Sequence, residues 1–399
     1  MRSFVVTLFP LVTLVGLGWE TAGASPLSQD EAISRYIAFL KQCDTGPVDY
    51  VLGLFEKHDI VIVCERDHRD ITQYDFYYSL ISDRRFIEKV GHIATEIGTC
   101  TLQEYVLEFL ETPGLDEAEI TERLLHIYRN LSRSPLWEKY NFFDFLKRLY
   151  LLNESLENEE RVALYPCDMP FEWSGMTREK YRAFEATLGQ RDRVMAENVI
   201  AVFDELSARE GARKKLLVIM NYRHAFNDFT FADGLKGDNV GRYLFEAYGK
   251  RVANVWMNSY GLLPGTTDRE PVLTVVQHGK WDAAFESAGN PERGFNFAGS
   301  PFGDDPFDLF PFRKHDVSYK DVFTGMVFYK PIREFKLAVN IPGLFDAAFM
   351  EEFKRRAAIC GQPWSDQELR EFVERFQKVL EFGPEDWGEK QKLIDRWLE

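Results

Sequence analysis

The stretch Asp59-Ile60-Val61-Ile62-Val63-Cys64, followed at once by Glu65-Arg66-Asp67-His68, decides the fold. A short run rich in β-branched residues is typical of a strand that is buried on both faces of a parallel sheet. Similar runs follow at 92–95, 161–165, 216–220, 252–256, 272–276 and 326–329. Helical patterns lie between them, over about 71–82, 101–111, 117–131, 135–156, 178–208 and 240–248. This alternation predicts an α/β fold with a mostly parallel sheet and helices on both faces.

The domain organisation departs from simple alternation in three places. The segment 101–156 has several helices between two strands, more than one crossover needs, and we interpret it as a helical insertion. In 287–320, Gly and Pro interrupt a series of Phe residues; a loop of this length is usually functional, which makes it a candidate lid. Helical patterns return after the last strand. We therefore predict one α/β domain over 25–335 and a C-terminal helical extension over 336–399.

The composition excludes some classes of protein and partner. The chain has 399 residues, of which 45% are hydrophobic, and a formal net charge of −16. This apolar content argues against disorder, and an acidic surface repels a phosphate backbone, so we expect no nucleic-acid partner. The five cysteines have no C-x-x-C spacing that would indicate a zinc or redox site, and disulfides between some of them stay open.

The first residues predict export. Arg2 precedes the apolar run 4–15, and Ala22-Gly23-Ala24 has the small residues of a cleavage site, so residues 1–24 are typical of a secretory signal peptide. The apolar run is too short to span a bilayer. We expect cleavage after Ala24, a periplasmic or secreted protein, and no membrane span in the mature chain. Its net charge stays at −16, because cleavage removes one positive and one negative residue.

Polar residues follow the predicted strands at their carboxyl ends, where ligands bind in open parallel sheets. Glu65 and His68 follow the first strand, and Glu96 ends the second. After the later strands come Asp168, then Asn221, Arg223 and His224, and finally His278. These positions predict a polar site at one edge of the sheet. The alternative for each residue is a structural salt bridge, a cap or a solvated side chain.

These residue types allow two kinds of water activation. His68 can remove a proton from water while Glu65 or Glu96 orients the imidazole ring. The same groups together with His224 can instead bind a divalent metal ion, which would lower the pKa of a bound water molecule. Both alternatives stay open.

Glu96 and Arg191 are candidates for different reasons. Glu96 ends an apolar strand, where an unpaired carboxylate is costly, so it belongs either to a site or to a salt bridge with an arginine such as Arg191. Arg191 begins a predicted helix and can bind a substrate carboxylate or an oxyanion.

The common nucleophile and nucleotide motifs G-x-S-x-G, G-x-x-x-x-G-K-[ST], H-E-x-x-H and helix-opening G-x-G-x-x-G are absent from the sequence. Cys64 is apolar in context, and such a cysteine is usually inert.

The order of motifs over about 55–330 resembles the superfamily of erythromycin esterase-like, ChaN-like and Tiki-type proteins. The matching segments are Cys64-Glu65-Arg66-Asp67-His68 for G-E-x-x-H, the strand ending at Glu96, 191–198 for R-[DE]-x-x-M-A-x-N, Asn221-Tyr222-Arg223-His224 for H-N-x-H, 241–249, and 323–328. The chain departs from the pattern at Cys64, Arg69 and Asn221, which stand where the family has Gly, Gly and His. The resemblance implies hydrolysis on a Glu/His site, with a divalent metal in the Tiki-type proteases, and haem binding in ChaN-like members.

We therefore predict an exported hydrolase of an ester or amide bond in a small molecule or peptide. His68 is the predicted general base, Glu65 and Glu96 orient it or hold a metal ion, His224 assists, and Arg191 binds negative charge. The metal-ligand candidates are Glu65, His68, Glu96 and His224. The alternative is a ChaN-like protein that binds haem or another small ligand without catalysis.

Overall fold

The computed structural model describes residues 29–211, 213–227, 238–264, 271–309 and 317–399. The strands are β1 (Ile60–Glu65), β2 (His92–Thr99), β3 (Ala163–Asp168), β4 (Leu216–Asn221), β5 (Val252–Met257), β6 (Tyr260–Pro264), β7 (Pro271–Val275), β8 (Arg293–Asn296), β9 (Gly325–Phe328), β10 (Leu337–Val339) and β11 (Leu380–Phe382). The helices are α1 (Gln29–Gln42), α2 (Pro47–Leu54), α3 (Ile71–Ile81), α4 (Arg84–Lys89), α5 (Gln103–Glu111), α6 (Glu117–Asn130), α7 (Tyr140–Glu154), α8 (Arg178–Glu185), α9 (Arg191–Ala208), α10 (Val240–Tyr248), α11 (Lys280–Ser287), α12 (Tyr319–Val322), α13 (Ala347–Ile359), α14 (Asp366–Val373) and α15 (Trp387–Asp395). The predicted signal peptide lies outside the described residues.

The main sheet confirms the predicted α/β class. Within the described residues, seven strands lie in the order β3-β2-β4-β1-β5-β9-β8. β1 pairs in parallel with β4 and β5, β2 pairs in parallel with β3 and β4, and β9 pairs in parallel with β5. The antiparallel strand is β8, at the edge beside β9. The carboxyl ends of β1, β2, β3 and β4 therefore meet at one edge.

Both faces of the sheet are covered, as the sequence predicts. Along β1, Val61 and Val63 pack into one apolar cluster with residues of α2, α3, α5, α6 and α7. Ile60, Ile62 and Cys64 point to the opposite face and pack with residues of α1, α9, α10 and α11. This alternation is the two-residue period of a strand that is buried on both sides. The three helices of the segment 101–156 thus lie on the same face as α3.

The strand predicted at 272–276 is not part of the main sheet. It is β7, which pairs antiparallel with β6 in a separate two-stranded sheet. Val272 and Leu273 are 51% and 46% exposed, so the first half of this run faces solvent where burial was expected, whereas Val275 and Val276 are buried. Because an apolar run has the same pattern in a hairpin and in a buried sheet, the sequence could not separate the two cases. His278 therefore does not lie at the sheet edge with the other polar residues.

The C-terminal part contains a small sheet as well as helices. Within the helical extension predicted over 336–399, α14 ends at Val373, and 380–382 forms β11, which pairs antiparallel with β10. β10 also touches two other parts of the chain: Leu337 bridges to Asp70, and Val339 bridges to Lys139. The backbone N–H of Ala338 donates a 2.7 Å hydrogen bond to the carbonyl of Arg69. The residues after β9 are therefore joined to the loop that follows β1.

The aromatic segment 287–320 is packed where the structure describes it. Its buried Phe residues are Phe295, Phe297, Phe302 and Phe307. Phe302 contacts Tyr36 of α1 and Trp281 of α11 at ring-centroid distances of 4.9 and 5.5 Å. These contacts give the Phe residues a structural role in the core. A lid function stays a prediction, and residues 310–316 lie outside the described residues.

Two further features of the described residues are the state of the cysteines and the length and apolar character of the helices. All five cysteines are unpaired, and Cys64 and Cys167 are buried. Burial raises the pKa of the Cys64 thiol well above its usual range, which keeps it protonated and inert. Among the helices of the described residues, none has the length and apolar character that a bilayer span needs.

Candidate functional site

The loop after β1 carries Glu65 and His68 and is fixed by the buried side chain of Arg66. Its guanidinium forms a 3.2 Å salt bridge with Asp70 and donates a 2.7 Å hydrogen bond to Asn258. Asp70 also caps α3, because its carboxylate accepts hydrogen bonds from two backbone N–H groups in the first turn. The loop is thus held between the end of β1 and the start of α3.

His68 is oriented by a hydrogen bond to Glu65, which Tyr74 holds in turn. Its Nδ1 lies 2.8 Å from Glu65 Oε2, and the Tyr74 hydroxyl donates to the other Glu65 oxygen at 2.9 Å. Because an ionised carboxylate only accepts, this contact places a proton on Nδ1 and leaves Nε2 as the reactive nitrogen. Nε2 lies 4.0 Å from Glu96 Oε1, and 28% of the His68 side chain is exposed. Burial lowers the pKa of His68, but the charges of Glu65 and Glu96 and the hydrogen bond to Glu65 outweigh it and raise the pKa to about 9.

Glu96 projects from an irregular part of β2. The pairing of β2 with β3 shifts its register between residues 95 and 99, and Gly98 in this stretch has a φ of +104°. A Cβ at Gly98 would lie 2.9 Å from the Pro166 Cβ, so this bend requires glycine. The Glu96 side chain is 2% exposed and accepts a hydrogen bond from the backbone N–H of Asn221.

Three basic groups surround the Glu96 carboxylate. His224 Nε2 lies 3.2 Å from Oε2, an Arg191 nitrogen lies 3.7 Å from the same oxygen, and His68 Nε2 faces the other oxygen. Burial alone would raise the pKa of Glu96, but His224, His68 and Arg191 outweigh it and hold the pKa below its usual range. Glu96 is therefore a buried anion that draws both imidazoles towards one point.

His224 repeats the arrangement of His68 with a different carboxylate. Its Nδ1 lies 2.9 Å from Asp192 Oδ2, and its Nε2 lies 3.3 Å from an Arg191 nitrogen. Asp192 comes from the first turn of α9, next to Arg191. Sequence reasoning missed Asp192 as a site residue, although the R-[DE] motif contains it, because charged residues in a first helical turn are more often solvated.

Asn221 joins the ends of three strands, at the position where the resembling family has its first His. Its side-chain Nδ2 donates a 2.9 Å hydrogen bond to the carbonyl of Arg66, and its backbone N–H binds Glu96. Its Oδ1 accepts from the backbone N–H of Arg223 and begins the turn that leads to His224. The departure from the family motif thus has a structural role.

Asp168 at the end of β3 binds two arginines. Arg191 Nε lies 2.8 Å from one carboxylate oxygen, and another Arg191 nitrogen lies 3.1 Å from the second. A third contact comes from Arg133, whose nitrogen lies 3.4 Å from Oδ2. The bidentate contact fixes the Arg191 guanidinium beside Glu96 and His224.

The five predicted site residues are brought together in the structure: Glu65, His68, Glu96, Arg191 and His224. Their catalytic and metal-binding roles stay predictions. Asp168, which the sequence predicts at the same sheet edge, lies beside them through its contact with Arg191. The structure adds Tyr74, Asp192 and Arg133 as neighbours. Trp137, from the segment between α6 and α7, packs against His68 with a ring-centroid distance of 5.2 Å. Of these additions, only Asp192 had a sequence signal, as part of the R-[DE] motif.

One set of these residues has the spacing of a metal site. Ligand atoms of Glu65, His68 and Glu96 lie within 4.8 Å of one another. His224 lies outside this group, and its Nε2 faces the Arg191 guanidinium. A divalent ion bound to Glu96 would therefore lie close to a fixed positive charge, which opposes its binding.

Comparisons with known proteins give similarity of fold at low sequence identity. No protein-family model matches the chain, and no curated protein matches it by sequence. A variant of an erythromycin esterase in its open conformation is 14% identical, with a TM-score of 0.45 over 70% of this chain and 92% of that one. A Bacillus cereus protein is 11% identical, with a TM-score of 0.45 over 76% of this chain and 97% of that one. A succinoglycan biosynthesis protein is 10% identical, with a TM-score of 0.48 over 77% of this chain and 98% of that one.

An erythromycin esterase is thus among the solved structures that are similar to this chain. With TM-scores below 0.5, these similarities say nothing about the reaction. The side chains of the site are the features that indicate which chemistry the protein can perform.

Proposed function

We propose that the protein hydrolyses an ester or amide bond with a water molecule that His68 activates. The observation that supports this most is the pair of carboxylate-bound imidazoles, Glu65 with His68 and Asp192 with His224, whose Nε2 atoms face the same buried carboxylate. A carboxylate on Nδ1 stabilises the charged ring that forms when Nε2 takes a proton. Two such pairs can supply one base and one acid.

The proposed reaction assigns one proton transfer to each imidazole. Neutral His68 takes a proton from water as the oxygen bonds to the carbonyl carbon, and Glu65 stabilises the resulting imidazolium. Arg191, held by Asp168, stabilises the negative charge on the carbonyl oxygen. Charged His224 then gives a proton to the leaving oxygen or nitrogen as its bond to carbon breaks. Exchange with solvent returns both rings to their starting states.

Metal-assisted hydrolysis is the second candidate, because the ligand atoms of Glu65, His68 and Glu96 lie within 4.8 Å. An ion held there would lower the pKa of a bound water molecule. Glu65 would then have to coordinate the ion through oxygens that already accept hydrogen bonds from His68 and Tyr74. That competition, and the charge of Arg191, favour the metal-free reaction.

The pH dependence tests the role of His68 as a base. Since its pKa is about 9, His68 is mostly protonated at neutral pH and only the neutral ring can accept a proton. We expect kcat/KM for p-nitrophenyl acetate, corrected for spontaneous hydrolysis, to rise about tenfold per pH unit from 7 to 8 and to level off above 9, because p-nitrophenolate is a stable anion that leaves without a proton from His224. A rate that is flat or falls over this range would contradict the assignment.

Metal removal separates the two candidates. We expect dialysis against EDTA to leave kcat/KM unchanged, because the imidazoles and Arg191 perform the reaction without an ion. Loss of activity after dialysis, with recovery on adding Zn²⁺ or Mn²⁺ to the same sample, would instead support the site of Glu65, His68 and Glu96. The control is wild-type protein dialysed against buffer alone.

A further inference from the structure

Residues 131–139, here called the site wall, connect α6 to α7 and pass beside the site. One end is held by the backbone N–H of Thr99, which donates a 3.1 Å hydrogen bond to the carbonyl of Leu131. The other end is held by the backbone N–H of Asn340, which donates at 2.8 Å to the carbonyl of Glu138. Both anchors are backbone contacts to other parts of the chain. The site wall therefore has a defined position without forming a helix or strand of its own.

The site wall contributes an aromatic ring to the mouth of the site. The Trp137 ring lies 5.2 Å from the His68 ring, at an angle of 59°. Lys139 Nζ lies 4.4 Å from the Trp137 centroid and makes a cation–π contact. The indole therefore offers an apolar surface next to the His68 ring.

The site wall also contributes a positive charge that is only partly neutralised. Asp168 forms a bidentate contact with Arg191 and a single, longer contact of 3.4 Å with Arg133. Among the residues that the structure describes, Asp168 is the hydrogen-bond partner of the Arg133 guanidinium. The Arg133 side chain is 32% exposed. One carboxylate therefore faces two guanidinium groups. Burial and the charge of Arg191 lower the pKa of Arg133, as expected for a cation with too little counter-charge.

The geometry points to a binding subsite: we propose that Arg133 binds a carboxylate of the substrate, and that the protein hydrolyses esters or amides that carry this group. The inference rests on the proposed function. A guanidinium with free N–H groups matches the two oxygens of a carboxylate. Arg191 also has Glu96 beside it at 3.7 Å, whereas Arg133 shares its carboxylate partner, Asp168, with Arg191, so a substrate carboxylate would add a counter-charge to Arg133. Glu96 repels a phosphate dianion more strongly than a carboxylate monoanion, which favours the carboxylate.

A matched pair of esters tests the subsite. 4-Acetoxybenzoate and 4-acetoxybenzamide have the same scissile bond and differ in the charge of the para group. We expect the wild type to favour the benzoate by about 10- to 100-fold in kcat/KM, as a charge-assisted hydrogen bond would give. Arg133→Gln should lower this ratio by most of that factor, and Arg133→Lys should restore part of it.

The control variant is Arg193→Gln, which removes the same charge from the exposed face of α9. Arg193 is 63% exposed and pairs with Glu197 at 2.9 Å. We expect its benzoate-to-benzamide ratio to equal that of the wild type. The subsite would be overturned if Arg133→Gln left the benzoate-to-benzamide ratio of kcat/KM unchanged. It would also be overturned if the wild type preferred the uncharged ester.

Binding of benzoate separates a failure of the subsite from a failure of the hydrolase proposal. Calorimetry is done with benzoate and with benzamide, on the wild type, Arg133→Gln and Arg193→Gln. One outcome is that neither ester is hydrolysed, while benzoate binds to the wild type and to Arg193→Gln but not to Arg133→Gln. The proposed hydrolysis is then wrong, and the carboxylate subsite is supported. If the wild type does not bind benzoate, or Arg133→Gln binds it equally well, the subsite is wrong.

Discussion

Replacing His68 by Gln is expected to lower kcat/KM for p-nitrophenyl acetate by about 10²- to 10⁴-fold, the range typical of a lost general base. Gln has a similar length and can donate to Glu65 through its amide, so the loop after β1 keeps its hydrogen bond. It cannot take a proton from water at any pH of the assay. The rise in rate between pH 7 and 9 should therefore disappear together with the activity.

The matched control for His68 is His58→Gln. His58 precedes β1, at the amino end of the sheet, and its Nδ1 lies 2.9 Å from the carbonyl of Lys250. We expect this variant to keep the wild-type rate and pH profile. Near-UV circular dichroism of both variants shows whether the fold is retained. A folded His68→Gln protein with the rate of the His58→Gln control would refute the assignment of His68.

Replacing Arg66 by Met is expected to lower the free energy of unfolding by about 3–5 kcal/mol, because the change leaves the buried Asp70 without its ion-pair partner. The side chains of Arg66 and Asp70 are 1% and 0% exposed. Burial already raises the pKa of Asp70 above its usual range, and loss of the arginine would add to this effect. Urea denaturation, followed by tryptophan fluorescence, measures the change.

Two further variants show whether the unpaired charge is the cause. Asp70→Asn, combined with Arg66→Met, removes the buried charge and keeps an oxygen that can cap α3, so the double variant should be more stable than Arg66→Met alone. Arg84→Met removes an exposed arginine, 56% accessible, that pairs with Glu88 and Glu160. It should cost less than about 1 kcal/mol. Equal losses in Arg66→Met and Arg84→Met would exclude a special role for the buried pair.

The parts of the fold that the sequence predicts are those with a local cause. The β-branched run before Glu65 forms β1, and the helix start at Arg191 begins α9, because burial and helix propensity act within a few residues. β10 and β11 are three-residue strands that form because distant segments meet, so no local pattern indicates them. The misplaced run at 272–276 has the same origin, since pairing partners are set by tertiary contacts.

The residues of the candidate site also fall into two groups, those that a local pattern predicts and those that tertiary contacts place. Glu65, His68 and Glu96 could be predicted because they lie at or near the carboxyl ends of β1 and β2, which share one edge, although β2 continues past Glu96 to Thr99. Arg133 and Trp137 could not, because the site wall has no regular structure and its position depends on anchors such as Thr99 and Asn340. Sequence position alone does not reveal such residues, although Trp137 packs against His68 and Arg133 contacts Asp168.

The contacts of β10 have a consequence for how the pocket can change. Leu337 bridges to Asp70, in the loop that carries His68, and Val339 bridges to Lys139, in the site wall. Three consecutive residues therefore join the loop that carries His68 to the site wall. Because these links are made by the backbone, side chains at Arg133 or Trp137 can be exchanged without removing them. The backbone frame around His68 and the chemistry beside it can thus vary independently.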